Sequence, residues 1–312
     1  MSADGPGAVS ADRIGTSGSI YDLGYQRYRG QRLGRAYAFR SLYLHGLAAS
    51  FGIGRSTRSK VIPIGLFAIA LVPALIELGV TALAGEALRP VRLDNYFSLV
   101  GTVMVLFGAA VAPELGSRDQ RHHVLSLYFS RALERRDYAV ARLAALLTAM
   151  LAIALIPEFV LYLGTALVRS DPVSYLSNNA DQPGLILGSG IVVALQVTGV
   201  ALAIASLTPR RAYATGGIVA YWFIADGLGS LIASITPPPT AAASQFTSWT
   251  HDAVLLSPSL VGDGAVRWFF GTAPEDALAR ADLAGWVYVL AALVYAAIGI
   301  AVVLRRFHRI AA

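Results

Sequence analysis

The chain contains 312 residues, of which 55% are hydrophobic and only 14% are charged, whereas a soluble domain carries about 25% charged residues. This composition predicts a polytopic membrane protein and excludes a soluble enzyme, and the lack of cysteine excludes disulfides and cysteine-ligated metal sites. The net charge of +6 would suggest nucleic-acid binding in a soluble protein. In a membrane protein the positions of the positive charges instead indicate which loops face the cytoplasm, so we expect no nucleic-acid partner.

The N-terminal region has two parts. Residues 1–34 begin with a Gly- and Ser-rich stretch, and we predict a disordered cytoplasmic tail there. The next segment, 35–51, is too polar to span a membrane, but its apolar residues recur at near-helical spacing: Phe39, Leu42, Tyr43, Leu47 and Phe51. The other faces would carry Arg35, Ser41, His45 and Ala49. This pattern indicates an interfacial amphipathic helix on membrane lipid, and the alternative is a cytoplasmic helix packed on loops.

Six segments reach the length of about 20 apolar residues that a bilayer span requires. They are Val61–Ala84, Tyr96–Leu115, Tyr138–Val168, Leu185–Leu207, Ala212–Ile235 and Leu283–Leu304. Because a backbone in lipid must satisfy its own hydrogen bonds, these segments are expected to be helices. We therefore predict an all-α membrane protein in which residues 35–312 form one six-span transmembrane domain.

The basic residues are distributed unevenly among the predicted loops. Nineteen Arg and Lys residues fall on the side that holds both termini and the second-to-third loop, residues 116–137, against five on the opposite side. Positive charge is retained inside the cell, so both termini are predicted to be cytoplasmic. Since Lys60 is the single lysine beside 24 arginines in an Ala-rich chain, we expect a GC-rich bacterial source and a multi-pass protein of the plasma (inner) membrane.

The longest predicted external loop comprises residues 236–282. It opens with three prolines, and its large aromatic residues include Trp249, Trp268, Phe269 and Phe270. These rings could contact the outer headgroup region, or they could form the core of a small capping fold. The sequence leaves both possibilities open.

Four acidic residues lie at membrane depth in the sequence. Glu114 is near the cytoplasmic end of its span and is expected to be an interfacial carboxylate, whereas Glu77, Glu158 and Asp226 lie deeper. Such residues are costly in a bilayer and usually face a bundle interior or a cavity, so they are candidates for either function or local structure. The only lysine lies outside any Gly-x-x-x-x-Gly-Lys-Ser/Thr sequence, so this chain lacks a phosphate-binding loop for ATP. We expect no catalytic role, no metal and no cofactor on this chain.

Three stretches of the sequence resemble a known family, and two of them are more specific than the third. Leu125–Tyr138 is similar to the stretch that follows the second span in permease subunits of ATP-binding-cassette transporters of the type-2 exporter class. Leu255–Pro258 resembles the leu-ser-pro sequence that precedes their last span, and Tyr21–Gly30 resembles N-terminal tails of some bacterial members. Ala132 stands where a proline is common in the family, and His122-His123 stand where Gly-Thr is common.

The resemblance implies that the second-to-third loop forms a short coupling helix, which docks on a separate P-loop ATPase subunit. The residues that would supply this docking surface are Val124, Leu125, Leu127, Tyr128, Arg131, Leu133, Arg135 and Arg136. It also implies a second permease chain, identical or related, that forms the substrate path with this one. ATP and Mg would be bound by the ATPase partner.

Other functions remain open at this point. The buried carboxylates would also suit a secondary carrier or a channel that couples transport to ions. The arginines of the second-to-third loop could serve only topology and binding to anionic lipid. A membrane enzyme finds no support, because no nucleophile–base or metal constellation is visible.

Overall fold

A computed structural model describes residues 33–84, 93–130, 133–235 and 248–309. Within these ranges every regular element is helical. The helices are α1 Gly34–Ser50, α2 Thr57–Ala84, α3 Leu93–Gly116, α4 Arg118–Arg121, α5 Leu125–Phe129, α6 Arg135–Val168, α7 Pro172–Asn178, α8 Gln182–Leu207, α9 Arg211–Ile235, α10 Ser248–Asp252, α11 Pro258–Phe270, α12 Asp276–Ala281 and α13 Gly285–Arg309. The predicted tail lies outside the described residues, apart from its last two positions.

Six of these helices are long and apolar enough to cross a membrane, namely α2, α3, α6, α8, α9 and α13. They coincide with the six predicted spans and extend most of them by several residues. The prediction of an all-α six-span membrane protein is therefore confirmed. The helices continue through Pro63, Pro73, Pro113 and Pro157.

Helix α8 is the centre of the bundle. In its most apolar stretch 78% of the residues are buried, against 17% in α2, and α3, α6, α9, α11 and α13 all pack against it. Its closest neighbour is α13, because a Cβ atom added at Gly199 would lie only 2.8 Å from the carbonyl oxygen of Ala296. The absence of a side chain lets the two backbones approach, as is common between membrane helices.

Helix α1 packs along α6 and α3. Its predicted apolar face turns toward these spans, with Leu42 buried and the hydroxyls of Tyr43 and Thr148 3.0 Å apart. The placement of Ala49 on another face was wrong: Ala49 is buried, because this face is wider than the predicted stripe. The helix therefore rests on spans and not on loops, and its contact with the membrane interface stays a prediction.

The segment between α9 and α13 forms a small helical cap where it is described. Helices α10, α11 and α12 and a 3-10 turn, Ala253–Leu256, enclose a separate apolar core that includes Val254, Val261 and Leu278. Phe269 and Phe270 pack inward, while Trp268 is 47% exposed. Of the predicted rings, Phe269 therefore lies against the core of the cap and Phe270 against that of the bundle, while contact of Trp268 with headgroups stays a prediction. Residues 236–247 and the Trp249 side chain lie outside the described residues.

Candidate functional site

Several basic segments meet at one end of the bundle. Arg55, between α1 and α2, donates a hydrogen bond of 2.6 Å to Glu114 near the end of α3. Arg211, at the start of α9, pairs with the other oxygen of Glu114, also at 2.6 Å. One carboxylate therefore joins three elements. We call this end of the molecule, which also holds the second-to-third loop and the end of α13, the basic end.

The same loop is attached to the last turn of α8. Ser117 Oγ donates to the carbonyl oxygen of Ala205 at 2.7 Å, and Gln120 Nε2 donates to that of Ser206 at 3.0 Å. Arg306 Nε of α13 also donates to Ser206 O at 3.3 Å. The last carbonyls of a helix have no partner within the helix, and these three side chains supply donors to them. Ser117 and Gln120 thereby bind the loop to the end of α8, and Arg306 binds α13 to it.

A buried ion pair joins the loop to α6. Asp119 on α4 accepts hydrogen bonds from Arg142 Nη2 and, at 2.8 Å, from the Tyr138 hydroxyl. All three residues are buried, and the guanidinium of Arg142 also lies over the Tyr138 ring, 5.2 Å from its centre. A charge removed from water requires compensation of this kind, so the position of α4 is closely tied to that of α6.

Tyr138 is also surrounded by aromatic rings from two other elements. Tyr128 and Phe129 of α5 lie 5.6 and 6.1 Å from it, and Phe307 of α13 lies 5.0 Å away, measured between ring centres. Arg135 extends this cluster, because it lies over Phe129 and donates a 3.0 Å hydrogen bond to the carbonyl of His308. Helix α5 is thereby packed against both α6 and α13.

The predicted docking residues divide by exposure. Leu127 is 65% exposed and Arg136 is exposed, whereas Leu125 and Leu133 are only 5% and 6% exposed and face the core. Val124, Tyr128 and Arg135 are half-buried, and Arg131 lies outside the described residues. Leu125 and Leu133 therefore hold the loop in place, and the surface available to a partner is centred on Leu127 and Arg136.

Helix α1 contacts the start of α6 through Arg35, which forms ion pairs with Glu134 and Asp137. Glu134 and Asp137 form the capping box that begins α6. On the same helix, burial together with the nearby charges of Arg142 and Arg55 lowers the pKa of His45. The imidazole is therefore neutral at neutral pH, which avoids a further positive charge beside Arg142.

The three intramembrane acids lie in different surroundings and do not form one cluster. Glu158 is fully buried in α6 and interacts with Tyr96, while Glu77 is half-buried on α2. Asp226 on α9 accepts hydrogen bonds from Ser257 Oγ at 2.6 Å and from Ser259 N and Oγ at 3.1 and 2.5 Å. Asp226 thus anchors the first turn of α11, where Ser257 is the N-cap.

Two neighbouring cavities lie between α3, α9 and α11, with volumes of about 90 and 380 Å³. Thr102, Val105, Trp222 and Ser259 line both. The smaller cavity also reaches Gln196 of α8, and the larger one reaches Asp226. Gln196 was not singled out from the sequence, although a lone glutamine in an apolar span is the kind of signal that marks an internal polar site.

Among the described residues, no group of three or more His, Asp or Glu side chains is arranged to hold a metal ion. Comparison with known proteins adds no assignment. No model of a known protein family matches the chain, and no curated protein matches it. The candidate site therefore consists of two features, the anchored loop at the basic end and the cavities among α3, α9 and α11.

Proposed function

We propose that this chain is the membrane-spanning permease subunit of an ATP-driven transporter of the exporter type, coupled to a separate P-loop ATPase. The observation that carries the proposal is the second-to-third loop. There Leu127 and Arg136 are exposed on a segment that buried contacts hold against the spans. An exposed leucine beside arginines suits a partner with an apolar cleft and an acidic rim.

The anchoring of this loop suits the transmission of movement. A force on α5 would reach α6 through the Tyr128–Tyr138 packing and the Asp119–Arg142 pair. It would reach α8 through Ser117 and Gln120. Closure of two ATPase subunits on ATP would then rock packed spans as bodies, because well-packed helices shift together. ATP and Mg belong to the ATPase in this scheme.

A second permease chain, identical or related, completes the substrate path. Helix α9 has only 22% of its most apolar stretch buried, and polar side chains such as Ser230 on α9 and Thr102 on the neighbouring α3 are exposed. Polar groups facing lipid are unfavourable, which supports their coverage by another chain. The proposal places the protein in a bacterial plasma membrane with the basic end in the cytoplasm.

The test is isolation of the tagged chain from its native cells in mild detergent, followed by mass spectrometry. A stoichiometric P-loop ATPase in the complex is the expected result. Its absence under several gentle conditions would contradict the proposal. Transport driven by a proton gradient in vesicles without ATP would instead favour a secondary carrier that uses Glu77, Glu158 or Asp226.

A further inference from the structure

The two cavities among α3, α9 and α11 lie at membrane depth. Gln196 is eleven residues before the end of α8 at the basic end, which corresponds to about 16 Å along the helix axis. Asp226 is fifteen residues after the start of α9 at the same end, or about 22 Å. Gln196 Nε2 donates to the carbonyl of Pro258 at 2.8 Å, so the first turn of α11 reaches into the bundle at this depth.

The side-chain oxygen of Gln196 is the unexplained group in this region. Gln196 is 1% exposed, and its Oε1 atom accepts no hydrogen bond from any residue that the structure describes. The oxygen lies toward Gly262, since a Cβ atom added there would be 3.6 Å from it, and Gly262 lines the smaller cavity. Because a buried acceptor without a donor is costly, this atom calls for a hydrogen-bond donor inside the cavity.

The remaining lining favours a positively charged donor. The charged residues lining the two cavities in the described part of the chain are Asp226 and Asp263, both acids. Asp263 pairs with Arg267 at 2.9 Å through Oδ2, and Asp226 is held by the serines at the start of α11. Phe97 and Trp222 provide aromatic walls, and aromatic faces attract cations.

We propose that these cavities form a binding site for an amphiphilic cation. Its ammonium group donates to Gln196 Oε1 beside Asp263, and its apolar body fills the larger cavity. The volume of about 380 Å³ is within the range of small-molecule sites. The assignment of this cation as transported cargo rests on the proposed function, whereas the binding site itself does not.

The experiment is equilibrium dialysis with the purified full-length chain in lipid nanodiscs, with empty nanodiscs as the partition control. Three ligands share one apolar body and differ in the head group: 1-naphthylmethylammonium, 1-naphthylmethanol and 1-naphthylacetate. The cation is expected to bind roughly tenfold more tightly than the alcohol, because a hydrogen bond from a charged donor is stronger than one from a neutral donor by about that factor in affinity. The anion is expected to bind most weakly. Equal binding of all three ligands would overturn the proposal and would indicate that water is the hydrogen-bond donor to Gln196 Oε1.

Variants locate the site. Gln196→Leu is expected to weaken binding of the cation about tenfold. The matched control is Gln182→Leu, which removes another buried amide oxygen without a partner, at the start of α8 and away from both cavities, and should leave binding unchanged. Asp263→Asn provides a second test, because Arg267 keeps its contact with Glu275 in this variant. Binding of the cation should be weaker, and binding of the alcohol should be unchanged.

Thermal unfolding of each variant shows whether it is folded. If Gln196→Leu does not fold, Asp263→Asn carries the test. Folded variants that bind the cation as the unmodified chain does would overturn the assignment. Since no ATPase is present, this result is independent of whether the chain works with one.

Discussion

Asp119 and Arg142 form a buried ion pair that joins the second-to-third loop to α6, and the Tyr138 hydroxyl donates to the same carboxylate at 2.8 Å. The pair connects the surface proposed for ATPase docking with the interior of the bundle. Loss of this pair should therefore lower the stability of the fold, and it should also weaken the coupling between the docking loop and the spans.

Replacing Asp119 with Ala would leave the Arg142 charge buried without its carboxylate. We expect a loss of about 3 to 5 kcal/mol in unfolding free energy, measured by denaturant unfolding in detergent. Asp181→Ala is the control, because Asp181 is exposed and makes no capping hydrogen bond. The double variant Asp119→Leu with Arg142→Met should recover most of the loss. Equal stability of Asp119→Ala and the control would contradict this account.

Glu114 is expected to matter more than other paired acids at the surface. Glu114→Gln weakens two contacts of 2.6 Å with Arg55 and Arg211 and should cost about 1 to 3 kcal/mol. Glu275→Gln is the matched change, since Glu275 is 60% exposed and contacts Arg267 at 3.2 Å, and it should cost less than about 1 kcal/mol. Similar costs for the two variants, measured by unfolding, would show that Glu114 does not join the three elements energetically.

Leu127→Asp is expected to detach the ATPase while membrane insertion and folding are retained, because Leu127 is exposed and contributes little to the core. Val173→Asp is the control: Val173 is also a highly exposed apolar residue, but it lies on α7, in the loop between α6 and α8. Copurification of the ATPase is the measurement. Undiminished copurification with Leu127→Asp would remove this residue from the docking surface.

The orientation can be tested directly because the chain has no native cysteine. Single variants Leu127→Cys and Val173→Cys place one thiol on the second-to-third loop and one on α7. In intact cells a membrane-impermeant maleimide should label only Val173→Cys, and permeabilisation should add Leu127→Cys, because the basic end is predicted to face the cytoplasm. The reverse pattern would invert the topology.

The six spans could be predicted from sequence because a run of about 20 apolar residues is enough by itself to indicate a membrane span. Helix α11 could not, since it has 13 residues with Ser259, Asp263 and Arg267 among them, and only its packing against α8 and α13 fixes it. Its start is marked in sequence by Ser257 and Pro258, but the partner of that turn, Asp226, lies on a different helix.

The docking surface was predictable only in outline. Leu125, Leu127 and Leu133 are chemically alike, and their separation into buried and exposed residues depends on how the loop lies against α6 and α13. The Asp119–Arg142 pair was missed for a similar reason. Its members are 23 positions apart, and the segment between them, which contains several other charged residues, gives no sign that these two meet.

The most direct test of the central claim is ATP hydrolysis, measured with the purified chain alone and with the complex isolated from native cells. The account predicts no hydrolysis by the chain alone. It predicts hydrolysis by the complex, and loss of that activity from the material isolated with Leu127→Asp, because this variant is expected to detach the ATPase. Hydrolysis by the chain alone, or a complex without any ATPase, would contradict the account.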